Sequence, residues 1–299
     1  MTRGHEEQVI QWLETNKGKV ILPHIGVLTQ IERIGASNDN RKKADVILNG
    51  KAVSLKDVEG SFLYNKASRK DLLKFLNEKD IIALDHKIKK IHQEQIKRNV
   101  NWQDILSRDR FKSLLKILMM DMNMKRGISN HPAELILTHP RKTEHIIDIC
   151  IYDFEEFFDI FADRWITFAL KRHWPDQGDS SESNRAKRMM KDHQNFPWIF
   201  DGVSGNGPKS WSNNAPQPTE RKTCFSCSIE IASPFKKWGQ LRMFRLSLLN
   251  SGFFGVNSKI LEKVTHDVYN EFGTLVNEQD DQRWETVLTI ANSVLLNNS

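Results

Sequence analysis

Apolar positions first recur at helical spacing near the N-terminus, where Val9, Ile10 and Leu13 form one stripe and predict a helix over Gly4–Thr15, stopped by Gly18. The period then changes. Ala44–Leu48 (ADVIL) and Lys51–Lys56 (KAVSLK) are β-prone runs on either side of Asn49-Gly50, a strong hairpin signal. GSFLYNKASR reads as a short loop, after which helical spacing predicts Ser68–Asn77, Ile81–Asn99 and Trp102–Asn123. Glu134–Thr138 and His145–Ile151 read as another pair of strands. A single aromatic-rich helix is expected over Phe154–His173, with Phe154, Phe157, Phe158 and Phe161 facing the core. A polar surface loop follows Pro175, and Gly, Asn, Pro and Trp crowd into a long loop over Trp198–Lys222. Thr223–Ile231 reads as a strand, and Ser258–Asn277 and Gln282–Leu296 as helices. The pattern is that of a mixed α/β (α+β) fold, a small sheet flanked by helices.

Composition narrows the class. With 39% hydrophobic and 27% charged residues, the chain reads as globular and soluble. A net charge of +6 and a pI near 9.1 fit a polyanionic partner such as nucleic acid. No apolar run approaches the roughly 20 residues that span a bilayer, and no signal-peptide apolar region is present, so no membrane association and a cytoplasmic location are expected. The sparse cysteines Cys150, Cys224 and Cys227 suit a reducing compartment. Cys224 and Cys227, three apart on one strand, face opposite sides, which argues against zinc.

Candidate chemistry gathers around the hairpin. Asp45 begins its first strand, Ser54-Leu55-Lys56 lies in its second, and Glu6 sits on the stripe side of the first helix. A tight turn at Asn49-Gly50 places Asp45 across from a residue close to Ser54, so a carboxylate and an ammonium can share one cleft. A carboxylate on an apolar stripe, as at Glu6, needs a partner. Phosphodiester hydrolysis needs a hard cation on carboxylates, an activated water and a positive charge for the transition state.

GHEEQVIQWL, RKKADVIL and NGKAVSLK together resemble the active-site core of the PD-(D/E)xK nuclease superfamily, and within it Type II restriction endonucleases. The resemblance covers roughly the first 70 residues. It implies a core sheet flanked by helices, Mg²⁺ as cofactor, Asp45 and Glu6 as metal ligands with the Leu55 carbonyl, and Lys56 as the catalytic lysine. It further implies a double-stranded DNA substrate and a homodimer that matches a palindromic site. Ala44 replaces the proline of the motif name. Ser54 stands where the second acid belongs, so Glu6 or Glu59 would supply it. Two regions are expected: residues 1–151 as nuclease core with a helical insertion at about 67–125, and 152–299 as a helical, DNA-recognition region, unless one domain holds both. Another PD-(D/E)xK repair or transposon-end nuclease, or a non-catalytic DNA-binding protein, are the alternatives.

Tyr64, Asn65, Lys66 and Arg69 follow the catalytic strand and are candidate phosphate contacts. In the long loop, Lys209, Trp211, Asn213, Asn214, Arg221 and Lys222 are candidates for DNA binding, since Asn and Arg read base edges bidentately. Lys236, Lys237, Arg242 and Arg245 form a second basic cluster around Trp238, while Lys87, Lys89, Lys90, Lys97 and Arg98 read as a solvated helix face.

Overall fold

The computed structural model describes residues 3–34, 42–59, 63–68, 74–94, 99–123, 127–173, 224–231, 238–253 and 258–297. Helix α1 (Arg3–Thr15) is followed by a two-stranded ribbon of β1 (Ile21–Leu22) and β2 (Gly26–Val27). Strands β3 (Ile31–Arg33), β4 (Val46–Leu48) and β5 (Lys51–Asp57) then form an antiparallel meander. Much later, β10 (Leu135–His139) joins β5 in parallel, with Leu135 opposite Val53 and Thr138 opposite Lys56, and β11 (Cys150–Tyr152) closes the sheet antiparallel to β10. The central sheet therefore runs β11-β10-β5-β4-β3. A parallel neighbour cannot be reached by a tight turn. The crossover from β5 to β10 contains the helices Glu78–Glu94 and Arg108–Lys116.

Side-chain alternation divides the sheet into two faces. Val46, Leu48, Val53, Leu55, Leu135 and Leu137 pack with Val9, Ile10 and Leu13 of α1. Residues of opposite parity (Ile136, Cys150, Tyr152) join a second core with α3 (Arg108–Lys116), the π-helical turn Ile117–Asp121 and α4 (Phe154–Trp165). Phe154, Phe157, Phe158 and Phe161 are all buried there, as their spacing predicts.

The hairpin forms as expected. Asn49 (φ 46°) and Gly50 (φ 81°) both take positive φ, the turn that matches strand twist. Asn49 also ties the hairpin to the preceding segment. Its Oδ1 accepts from the Thr29 and Gln30 amides at 2.9 and 2.8 Å, and its Nδ2 donates to the Val27 carbonyl at 2.6 Å. Asn49→Ala should lower stability by about 2 kcal/mol, because these groups lose partners and alanine tolerates positive φ poorly. Urea unfolding would measure it, and a change under about 0.5 kcal/mol would mean that solvent replaces the Asn49 contacts.

Two stretches differ from the sequence reading. The expected loop after β5 contains strand β6 (Leu63–Ser68), and the expected helix to His173 ends at Trp165, where β12 (Ile166–His173) begins. Both belong to a second, antiparallel sheet, β6-β13-β12-β7, with β7 (Asn99–Asn101) and β13 (Cys224–Ile231). The aromatic run stays apolar across the switch, so its period hides the boundary, and cross-strand pairing decides it. Ser68–Asn77 forms no helix among its described residues, where strand β6 ends at Ser68 and a turn and bend cover 74–76. Helix α2 covers Glu78–Glu94, and Trp102–Asn123 divides into a 3₁₀ turn, α3, the π turn and strand β8 (Met122–Asn123), which pairs with β9 (Gly127–Ile128).

Helices α5 (Trp238–Asn250), α6 (Ser258–Phe272) and α7 (Asp281–Leu296) share a third apolar cluster. They dock on β11 through a buried polar group. Arg245 donates to the Ile147 carbonyl at 2.8 Å and pairs with Glu262, which also approaches His266 Nε2 at 3.4 Å and the Cys150 thiol at 3.6 Å. Burial pushes the Cys150 thiol up to about 12. No helix among the described residues is long and apolar enough to cross a membrane.

Candidate active site

Asp45 enters the sheet just before β4, its amide bonded to the Val53 carbonyl at 2.8 Å. Its Oδ2 accepts from the Leu55 amide at 2.7 Å and the Ser54 hydroxyl at 3.2 Å. Ser54 thus braces Asp45 where the motif would carry a second acid. Oδ1 of Asp45 receives no hydrogen bond from the described residues. In a strand, the N–H and C=O of one residue face the same edge. The Leu55 carbonyl therefore faces the edge where Asp45 lies, beyond the end of β4.

Alternation along β5 puts Ser54 and Lys56 on the face away from α1, and the Asp45 carboxylate reaches the Ser54 hydroxyl on that side. Lys56 is half-buried and makes no ion pair with a described residue. Lys43, which sequence reasoning passed over, lies beside them. Its amide bonds to the His131 carbonyl at 3.1 Å and its ammonium to the Leu118 carbonyl in the π turn. Burial, together with the Lys56 charge, lowers the Lys43 ammonium to about 8 against the opposing pull of Asp121 and Asp45. RKKAD contains the signal for Lys43, but a lysine two residues before an acid has no distinctive spacing.

The two acids offered in place of Ser54 lie outside the two hairpin strands. Glu6 is half-buried on α1, whose stripe packs on the opposite face of the sheet. Glu59 follows β5 and accepts the Arg141 amide at 2.7 Å. On the α1 face, Asp57 pairs with His5 at 3.1 Å and lies 3.8 Å from Arg141 Nε. Beside Asp57 in register, His139 is fully buried, with Nδ1 bonded to the Pro140 carbonyl at 2.8 Å. Burial lowers its pKa. A cleft of about 480 Å³ opens there between α1 and residues 141–143.

Of the candidate DNA contacts, Tyr64, Asn65 and Lys66 lie on β6, an edge strand of the second sheet, and their side chains are outside the described residues. Arg69, Lys209, Trp211, Asn213, Asn214, Arg221 and Lys222 also lie outside them, as do Lys236 and Lys237. The second basic cluster is corrected in part. Arg245 is buried in its pair with Glu262, and Arg242 pairs with Glu144 at 2.6 Å.

His24, Asp153 and Glu156 bring potential ligand atoms within 4.8 Å of one another. Both carboxylates already form the capping box of α4, with the Glu156 amide on Asp153 at 2.8 Å and the Asp153 amide on Glu156 at 3.2 Å. The positive end of a helix repels a cation. An ion pair with His24, at 2.7 Å, accounts for the rest.

Around Asp45 the donors suit a hard cation instead: a carboxylate oxygen free of hydrogen bonds from described residues, and a carbonyl facing the same edge. A lysine two residues along the same face supplies positive charge. No protein family, no curated protein and no solved structure matches this chain.

Proposed function

We propose that the protein is a Mg²⁺-dependent endonuclease of the PD-(D/E)xK type, a Type II restriction enzyme that cuts double-stranded DNA at a specific sequence. The observation that carries this reading is the pinning of Asp45 by the Leu55 amide and the Ser54 hydroxyl, with Lys56 two residues beyond Ser54 on the same face of β5. A mixed sheet with helical elements on both faces supports it.

Asp45 and the Leu55 carbonyl would hold the cation, with an acid replacing the one absent at Ser54. A bound Mg²⁺ would polarise the phosphodiester and acidify an attacking water. Lys56 would orient that water and meet the charge that develops on the phosphoryl oxygens. As the water oxygen bonds to phosphorus, the bond to the 3′ oxygen breaks. That oxygen takes up a proton, and a 5′-phosphate remains. A homodimer would cut both strands of a palindrome.

Incubation with phage DNA, with and without Mg²⁺, tests the proposal. Discrete fragments that disappear with EDTA are expected. Binding that survives EDTA, with no cleavage in Mg²⁺, would identify a non-catalytic DNA-binding protein. Cleavage confined to damaged or branched DNA would point to a repair nuclease.

A further inference from the structure

We propose that Asp121 is the carboxylate that replaces the acid absent at Ser54, so that a divalent cation would be shared between Asp45 and Asp121. This rests on the nuclease reading and specifies its metal site. The first observation is the side of the sheet. Ser54 and Lys56 point away from α1 and the Asp45 carboxylate meets the Ser54 hydroxyl, whereas Glu6 belongs to α1 and Glu59 lies beyond the end of β5. The π turn Ile117–Asp121 lies on the Asp45 side: its Leu118, Met119 and Met120 pack with Ala44, Ala52 and Ile136.

The second observation is how tightly this turn is tied to the strand that carries Asp45. The Lys43 ammonium bonds to the Leu118 carbonyl, and the Lys43 and Ala44 amides bond to the His131 carbonyl at 3.1 and 3.0 Å. The returning segment holds the turn in place, with the Ala133 amide on the Met120 carbonyl at 2.8 Å and the Ser129 amide on the Asp121 carbonyl at 2.9 Å.

The third is the state of the carboxylate. Asp121 is half-buried, yet its side chain has no hydrogen bond or close ion pair with a described residue. A buried carboxylate is costly unless something pairs with it. Both Asp121 and Asp45 act through space on the Lys43 ammonium, which offsets their charge when no metal is bound. Single π turns recur at functional sites. Here that turn ends on Asp121.

The test is Mn²⁺ binding by the full chain, followed through the electron paramagnetic resonance of the free ion, with folding checked by thermal unfolding. Asp45→Asn and Asp121→Asn should each weaken binding by at least about tenfold, while Glu6→Gln and Glu59→Gln stay within about twofold. Lys43→Gln keeps a donor for Leu118 but removes the competing charge, so it should bind about threefold tighter or more.

If Asp45→Asn loses the metal and folded Asp121→Asn keeps it, the Asp121 assignment is overturned and the nuclease reading stands. If the wild type binds no Mn²⁺, or Asp45→Asn binds it equally well, both fall. Should Asp121→Asn fail to fold, Lys43→Gln decides, and an unchanged affinity overturns the assignment.

Discussion

Asp45→Asn should leave the protein folded and lower Mg²⁺-dependent DNA cleavage by at least about a hundredfold, equivalent to roughly 2.7 kcal/mol of transition-state stabilisation. The contacts of Asp45 explain why asparagine is the informative replacement. One carboxylate oxygen is committed to the Leu55 amide and the Ser54 hydroxyl. An asparagine carbonyl keeps that acceptor. Its amide then takes the place of Oδ1, and an amide nitrogen with two hydrogens is no ligand for a hard cation. Asp45→Ala removes both functions and should also cost about 1–3 kcal/mol of stability, since the buried Leu55 amide loses its acceptor. Single-turnover cleavage with denaturant melts of both variants separates the two effects. Cleavage by Asp45→Asn above about one per cent of wild type would remove Asp45 from the metal site.

The largest loss of stability is expected at the other end of the molecule. Glu262→Gln should cost about 3–5 kcal/mol, because it leaves the Arg245 guanidinium buried without its counter-charge. A fall in Tm of about 10 °C follows for a chain of this size. The double replacement Arg245→Met with Glu262→Leu should recover most of that loss, since it removes both charges and fills the space with apolar groups. A double variant less stable than Glu262→Gln would show that the pair itself stabilises the junction.

The same pair makes stability depend on pH. Burial alone would raise the Glu262 carboxyl, but Arg245 and His266 outweigh it and hold it down to about 2. A carboxyl with a depressed folded-state pKa stabilises the fold above its unfolded value near 4.3, and that contribution fades as pH falls from there toward 2. Between pH 6 and pH 3 the urea midpoint of the wild type should fall further than that of the double variant if Glu262 carries the effect.

Much of the central sheet was legible in the chain because its signals are local. Asn49-Gly50 fixes the β4–β5 register, and that register alone brings Asp45 to Ser54. The stripe Val9, Ile10, Leu13 likewise specifies which face of α1 is buried. The same stripe suggested Glu6 as a site residue, yet only the assembled sheet shows that α1 packs on the face opposite Ser54 and Lys56. Lys43 and Asp121 could not be found from spacing. Lys43 has no distinctive spacing, Asp121 meets the hairpin through a long crossover, and a π turn leaves no mark in hydrophobic period. Strands β6 and β12 were missed for a related reason: their pairing partner, β13, lies far along the chain. Arg245 looked like a surface cation until Glu262 and Ile147 closed around it.

The parallel pairing of β5 with β10 has a consequence for biosynthesis. The hairpin emerges from the ribosome with one side of β5 unpaired, and it stays so until Leu135–His139 has been made. An open edge of this kind is a template for association with another nascent chain. Its closure waits on a contact of long sequence separation, which is slow to form. The strand that carries Lys56 is therefore among the last parts of the central sheet to be locked. A chain cut short within the crossover would keep the whole Asp45–Lys56 motif yet leave it on an unfinished, aggregation-prone surface.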